Sequence, residues 1–175
     1  TISYGYGIST SLIQLVQAYT VFANQGEIKP VSLYKAEGPI IGRRVLDRKT
    51  SNQMLNMLES VVSTEGTGAL AKIPGYRVAG KTGTAKKSAK GGYSNKYIGS
   101  FIGIAPASNP TFILAVLIDE PSIGGYYGGV VAGPAFKSIM SDALKLYSIP
   151  QDENIKTKQK LVLFTNRNEW VIRAS

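Results

Sequence analysis

Apolar residues return at helical spacing near the start of the chain. Leu12, Leu15, Val16, Tyr19, Phe22 and Ala23 share one side of a helical period, which predicts a helix over residues 10–25. Ser9 or Thr10 is expected to cap it, and Gly26 to take the C′ position. Residues 28–36 read as extended. A second helix is expected over residues 48–63, capped by Asp47, with Met54, Leu55, Leu58, Val61 and Val62 on one side. Glu65-Gly-Thr-Gly68 then breaks the chain.

Three strands follow, over residues 76–85, 97–105 and 111–119. The third is apolar without interruption from Phe112 to Ile118, a pattern that suits a strand covered on both faces and flanked on both edges. The short turn Pro106-Ala-Ser-Asn-Pro110 makes the second and third an antiparallel hairpin. A last helix is expected over residues 132–147, with Pro134 in its first turn and Phe136, Ile139, Met140, Ala143, Leu144 and Tyr147 as a wide apolar stripe. After Pro150 the chain is polar and basic, with one weak hairpin expected between 161–164 and 170–172. The sum is an α+β fold, an antiparallel sheet flanked by helices. The third strand has one obvious neighbour in this sequence, and an open apolar edge aggregates, so a segment outside the sequence is expected to pair with it.

Composition removes several chemistries. The 175 residues contain no Cys and no His. A Ser-His-Asp or Cys-His triad, an ordinary zinc or iron–sulfur site and a disulfide framework are thereby excluded within this chain. No metal and no cofactor is expected. Lys, Asp, Glu and Tyr remain for proton transfer. At 43% hydrophobic and 18% charged, the composition is that of a globular domain, not a disordered one. No stretch reaches the roughly 18 apolar residues of a membrane span. The opening Thr1-Ile-Ser-Tyr-Gly5 has no initiator Met and no signal pattern, and reads as a start in mid-protein. The formal charge is +9, and it is uneven: residues 66–118 hold seven Lys or Arg and no Asp or Glu. That imbalance points to an anionic partner.

Two motifs share Lys81. Gly75-Tyr-Arg-Val-Ala-Gly80-Lys81-Thr82 matches the G-x-x-x-x-G-K-[ST] phosphate loop, and a P-loop ATPase is one reading. Its context is poor. Such a loop follows a buried strand and opens a helix, whereas Leu70-Ala-Lys-Ile-Pro74 is a poor strand and residues 83–92 hold three glycines. The other reading puts Lys81-Thr82-Gly83-Thr84 inside a strand, as the K-[ST]-G signature of serine acyl-transfer enzymes that act on penicillin. There Gly83 lets a substrate backbone lie against the strand. The Thr84 N–H points into an oxyanion hole, and Lys81 with the Thr82 and Thr84 hydroxyls holds a carboxylate. A third reading takes Lys86, Lys87, Lys90 and Lys96 with Tyr93 and Tyr97 as a basic single-stranded nucleic-acid module, against a solvated loop between strands.

Residues 76–87, Gly92-Tyr93, Lys96-Tyr97-Ile98, Gly103-Ile-Ala-Pro-Ala-Ser108, Ile118-Asp-Glu-Pro121, Tyr126-Tyr-Gly-Gly129 and Pro134-x-Phe136 occur in one order. Together they resemble the C-terminal half of the transpeptidase domain of class B penicillin-binding proteins, cell-division type. Ser3-Tyr-Gly-Tyr-Gly7, Tyr19-x-x-Phe-Ala-Asn-x-Gly26 and Glu65-Gly-Thr-Gly68 fit the same family, and the likeness covers residues 1–150, leaving 151–175 as a basic tail. The resemblance implies a five-stranded antiparallel sheet between helices. It implies a peptidoglycan D,D-transpeptidase that cross-links septal stem peptides ending in D-Ala-D-Ala and is acylated by β-lactams. It implies Lys81 and Thr84 as catalytic residues, and Thr82, Gly83, Thr84, Tyr97, Tyr126, Tyr127 and Gly128 as substrate-binding residues. It implies the N-terminal half of the domain and other division proteins as partners, no nucleic acid, and a place on the periplasmic face of the bacterial inner membrane, anchored by a segment outside this sequence. The family's S-x-N is missing, and its nucleophilic S-x-x-K is matched only by Ser32-Leu-Tyr-Lys35, on an extended segment that points Ser and Lys to opposite faces. This chain alone is therefore expected not to acylate.

Overall fold

A computed structural model describes residues 8–153 of the chain. The Ser3–Gly7 motif and the expected hairpin over 161–172 lie outside them. Helix α1 spans Leu12–Ala23. Its cap is Ser11, one position later than expected, because Ser11 has Gln14 three residues on and closes a capping box: the Ser11 N–H donates to Gln14 Oε1 at 2.9 Å and the Gln14 N–H to Ser11 Oγ at 3.3 Å. At the other end Gln25 takes the left-handed conformation expected of Gly26. Gly26, one residue further, donates to the Val21 carbonyl at 2.7 Å, the closing bond of a Schellman turn.

The expected extended segment 28–36 shrinks to β1, Glu27–Ile28, paired antiparallel with β2, Arg43–Arg44. Pro30 supplies no N–H, so the ladder stops there. Helix α2, Arg48–Ser60, is capped by Asp47, whose carboxylate accepts from the Thr50 N–H and hydroxyl at 2.8 and 2.6 Å. It ends three residues early because the Glu65–Gly68 turn folds back, with the Gly68 N–H donating to the Val61 carbonyl. A single 3-10 turn, Ala69–Ala71, leads into the sheet.

The sheet has strand order β3-β4-β5, all antiparallel, with β3 at Ala79–Ala89, β4 at Gly92–Ala105 and β5 at Phe112–Asp119. The first strand starts at Ala79 and not at Tyr76 and runs on past Ala85, and the second starts at Gly92 and not at Tyr97. Residues 86–96, read as a loop, are the two arms of a ribbon closed by Lys90-Gly91, with Gly91 at positive φ. Ile98 faces Asp119, the last residue of β5, so the ribbon runs on beyond β5. Lacking a covered face there, it needs no apolar alternation and leaves no strand signal. Among the described residues β5 pairs only with β4, and the second neighbour expected from its apolar run is not among them.

Register sorts the sheet's two faces. Phe101, Phe112, Leu114, Val116 and Ile118 point to one face, where Phe136, Met140 and Leu144 of helix α4, Gly133–Leu146, cover them. Gly103 makes room for Phe136, whose ring would lie 2.6 Å from a Cβ there, and Phe136 meets Phe101 edge-on at 4.7 Å. Ala79 faces the other way, against Leu58 and Leu55 of α2 and Tyr19 and Phe22 of α1. Buried Ser51 joins those two helices through its hydroxyl and the Val21 carbonyl. The stripe on α4 is narrower than predicted: Phe136, Met140 and Leu144 are buried, whereas Ile139 and Tyr147 are 51% and 65% exposed, Tyr147 touching the sheet only at its rim, edge-on to Phe112 at 5.2 Å. A four-residue helix α3, Gly128–Val131, precedes α4. No helix among the described residues is long and apolar enough to cross a membrane.

Past α4 the chain returns to the sheet. The Tyr76 hydroxyl donates to the Ile149 carbonyl at 2.6 Å. Asp152 accepts from the Arg77 N–H at 2.7 Å through one carboxylate oxygen, and from the Ser108 N–H and hydroxyl at 3.1 and 2.6 Å through the other. Asp152→Ala is expected to lower the unfolding free energy by about 2 kcal/mol, the scale of charge-assisted bonds lost together. The check is the urea midpoint at unchanged m-value, and a shift worth less than about 0.5 kcal/mol would show that this latch does not hold the fold.

Candidate functional site

Lys81-Thr82-Gly83-Thr84 lies in the middle of β3, opposite Ile102, Phe101, Ser100 and Gly99 of β4. The strand continues through this stretch to Ala89 and opens no helix. That removes the P-loop reading, since N–H groups engaged in a ladder along one edge cannot converge on a phosphate. The outer edge of β3 has no strand partner among the described residues, so alternate backbone groups there are free to pair with an extended ligand.

Alternation splits the four residues between faces. Lys81 and Gly83 point one way, Thr82 and Thr84 the other. Lys81 is exposed, donates to the Thr82 carbonyl at 2.9 Å, and has no carboxylate partner among the described residues. Gly83 is bare because Ser100 fills the space: a Cβ there would sit 2.5 Å from Ser100 Oγ. Thr82 Oγ1 lies 3.1 Å from Thr67 Oγ1, which brings the Glu65–Gly68 turn to the strand. Thr84 Oγ1 accepts from the Gly128 N–H at 3.0 Å. Gly128 is buried, and a Cβ on it would fall on the carbonyl oxygens of Gly83 and Ser100.

Three tyrosines assemble beside Thr84. Tyr97 faces Lys86, one step along the same sheet face from the Thr84–Gly99 pair. The Tyr126 ring stacks on it at 4.1 Å and 17°, and Tyr127 follows at 4.6 Å from Tyr126. Lys86 Nζ stands 5.8 Å over the Tyr97 ring. The hydrogen bond with Tyr127, ahead of the charges of Tyr127 and Tyr97, pushes the Tyr126 phenol up.

The basic stretch is less free than its sequence implies. Lys87 Nζ reaches Asp119 at 2.9 Å and Glu120 at 2.7 Å, and Lys96 Nζ reaches Glu120 at 2.7 Å. Hydrogen bonds from Lys87 and then Lys96 hold the Glu120 carboxyl below its ordinary range, and bonds to Glu120 and then Asp119 push Lys87 up. Two of the four lysines offered for nucleic-acid binding are thus neutralised, by the acids that end the acid-free stretch.

The structure therefore gathers Thr82, Thr84, Tyr97, Tyr126, Tyr127 and Gly128 on one side of the sheet, while Lys81 and Gly83, on the same strand, face the other side. Sequence reasoning did not single out Thr67, Ser100, Asp119 or Glu120 for this region. The signal for the acids was their position, the first two after a long basic stretch. Thr67 lies in the Glu65–Gly68 turn already matched to the family but given no site role, and Ser100 carries no signal of its own, because strand register and the back-folded turn bring them here. Ser32–Lys35 forms a bend, in which the Tyr34 N–H donates to Ser32 Oγ, and not a helix.

Comparison with known proteins adds an independent line. A family profile described as the penicillin binding protein transpeptidase domain matches residues 1–141. The chain is 47% identical over 150 residues to a probable peptidoglycan D,D-transpeptidase PenA of Neisseria flavescens, covering 85% of this chain and 38% of that protein. It is 41% identical over 170 residues to the peptidoglycan D,D-transpeptidase FtsI of Escherichia coli strain K12, covering 97% of this chain and 29% of that one. It superposes on the apo transpeptidase domain of Burkholderia pseudomallei penicillin-binding protein 3 with a TM-score of 0.82 at 47% identity, covering 87% of this chain and 47% of that domain. The chain thus spans well under half the length of the curated relatives it matches.

Two outcomes follow from the geometry. Gly128→Ala is expected to lift α3 off the sheet and lower the melting temperature, with faster amide exchange at Val131 and Ala132, whose N–H groups bond within that turn. Unchanged exchange would refute the close contact. The second outcome concerns pH. A depressed carboxyl value in the folded state means that the Glu120 ion pairs persist above it and are lost as pH falls through it. A carbon-detected NMR titration is expected to place Glu120 below ordinary glutamate at low salt, and to move it up toward that value as salt screens the exposed lysines.

Proposed function

The chain belongs to the penicillin-binding protein transpeptidase domain family, and on that premise we propose that it is the later part of a serine acyl-transfer site that cross-links peptidoglycan stem peptides. In this reading the nucleophilic serine and its lysine come from outside this sequence. The serine attacks the penultimate D-Ala carbonyl of a stem peptide and expels the terminal D-Ala. The acyl group then passes to an amine on a second strand, and β-lactams acylate the same serine.

Each candidate residue has a role consistent with its surroundings. Lys81 carries a charge unclaimed by any carboxylate among the described residues, suited to the substrate's terminal carboxylate. The Thr82 and Thr84 hydroxyls, on the opposite face of the strand from Lys81, contact the ligand from the other side of the β3 edge. The bare Gly83 lets an extended peptide approach the free edge of β3. The Thr84 N–H serves as an oxyanion-hole donor, preorganised because Gly128 holds its residue in place. Tyr97, Tyr126 and Tyr127 form an aromatic wall for the acyl donor, and the lysine-rich field of residues 66–118 draws anionic stem peptides in.

The observation that carries this reading is Lys81, without a carboxylate partner among the described residues, on an edge strand whose neighbouring threonines are anchored by α3 and by the Thr67 turn. A cell-division role and a periplasmic site, with the anchor supplied outside this sequence, follow from likeness to relatives named FtsI. The N-terminal part of the same domain is the obligatory partner, and other division proteins are further ones.

In the complete protein, Lys81→Ala is expected to cut acylation by fluorescent penicillin at least about 100-fold, the scale on which a preorganised electrostatic contact acts. The 175-residue chain by itself is expected to take up no label that survives gel denaturation. Wild-type-like labelling of the Lys81→Ala protein would reduce the chain to a scaffold, and labelling of the chain alone would place a nucleophile inside it.

A further inference from the structure

The ribbon formed by residues 86–97 leaves the sheet without a β5 neighbour, because β5 ends opposite Ile98. Lys87 reaches Asp119 at 2.9 Å, and the remaining ion pairs that tie the ribbon back gather on the next residue. Glu120 donates its N–H to the Tyr97 carbonyl at 3.0 Å. One carboxylate oxygen meets Lys87 on β3 and the other meets Lys96 on β4, each at 2.7 Å. Glu120 sits at a φ of 50°, a left-handed conformation that a glutamate rarely adopts and that favours glycine. The side chain's two ion pairs give a reason for glutamate at a position where the backbone alone favours glycine.

The loop that Glu120 starts ends at Gly128, whose N–H is bound by Thr84. Between those two pins the loop carries Gly124 and Gly125 at positive φ, then Tyr126 stacked on Tyr97. The aromatic pair is thus held from two sides: Thr84 anchors the far end of the loop, and Glu120 anchors its start together with both arms of the ribbon. We propose that Glu120 is a positioning residue of the site, which by joining Lys87 to Lys96 locks the projecting ribbon against its loop and sets how tightly an acyl donor lying on the Tyr97–Tyr126 wall is held. This rests on the transpeptidase reading above for the identity of the ligand, and on geometry alone for the positioning.

The experiment uses the complete protein and a fluorescent penicillin, with stopped-flow separation of the non-covalent dissociation constant from the acylation rate constant. Glu120→Gln is expected to raise the dissociation constant about three- to tenfold, the range of two exposed ion pairs together, and to leave the acylation rate constant within about twofold. Glu120→Asp, which keeps the charge on a shorter arm, is expected to recover part of the loss. The ratio between Glu120→Gln and wild type is expected to fall toward one at about 1 M salt, where exposed pairs are screened. An unchanged dissociation constant, a loss confined to the acylation rate constant, or a ratio indifferent to salt overturns the proposal. A second readout needs no substrate: NMR cross-relaxation between the Tyr97 and Tyr126 rings is expected to weaken in Glu120→Gln and persist in Glu120→Asp. Wild-type protein that binds no penicillin defeats the functional reading, while ring contact unaffected by Glu120→Gln defeats the positioning role.

Discussion

The close approach of the Gly128 backbone to the sheet is the constraint on which the rest of this region depends. A side chain at Gly128 would collide with the carbonyls of Gly83 and Ser100, and one at Gly99 would meet Val131, so two glycines on facing elements let α3 lie directly on β3 and β4. The contact directs the Gly128 N–H to Thr84. It also fixes where the preceding loop delivers Tyr126 and Tyr127, and where the following turn starts α4 with Phe136 over Gly103. Tyrosine cluster, strand and core helix are therefore set by one backbone contact.

Charge organises the same region at longer range. Residues 66–118 are free of acid, yet the strand order brings Asp119 and Glu120, at the end of β5, alongside Lys87 and Lys96 in the ribbon. The distal lysines thus serve as structural cations. Lys81, near the middle of β3, meets the Thr82 carbonyl and no carboxylate among the described residues, so its charge is not neutralised there. This division of labour is consistent with recognition of an anionic peptide at one place on the strand, and less so with a diffuse polyanion along the ribbon.

Much of this architecture is legible in the residues themselves. The helical stripes at 12–23 and 48–60, the Asp47 cap, the apolar run of β5 and the antiparallel hairpin around Pro106–Pro110 all follow from local pattern, because each element meets a dry surface on a predictable face. The ribbon arms at 86–96 were illegible since both their faces are wet and no periodicity is imposed. Ser11 replaced Ser9 or Thr10 as the cap because the partner Gln14, and not the hydroxyl type, selects the position. Asp152 gave no sign of its role, as its partners Arg77 and Ser108 are distant in sequence.

By itself, then, the sequence determined the main helices and the strands with a covered face, the α+β class, the exclusion of His- and Cys-based chemistry, and the Lys81–Thr84 stretch as the place to look. These are properties of residue type and short-range spacing. Only the tertiary structure decided which side chains share a face with Thr84, that Tyr97 and Tyr126 stack, that Thr67 and Ser100 border the strand, and that Glu120 claims two of the lysines. Those relations depend on strand register and on the seating of α3, which join residues as far apart as 84 and 128. A one-residue slip of register in β4 would turn Tyr97 and Ser100 to the opposite faces relative to Thr84.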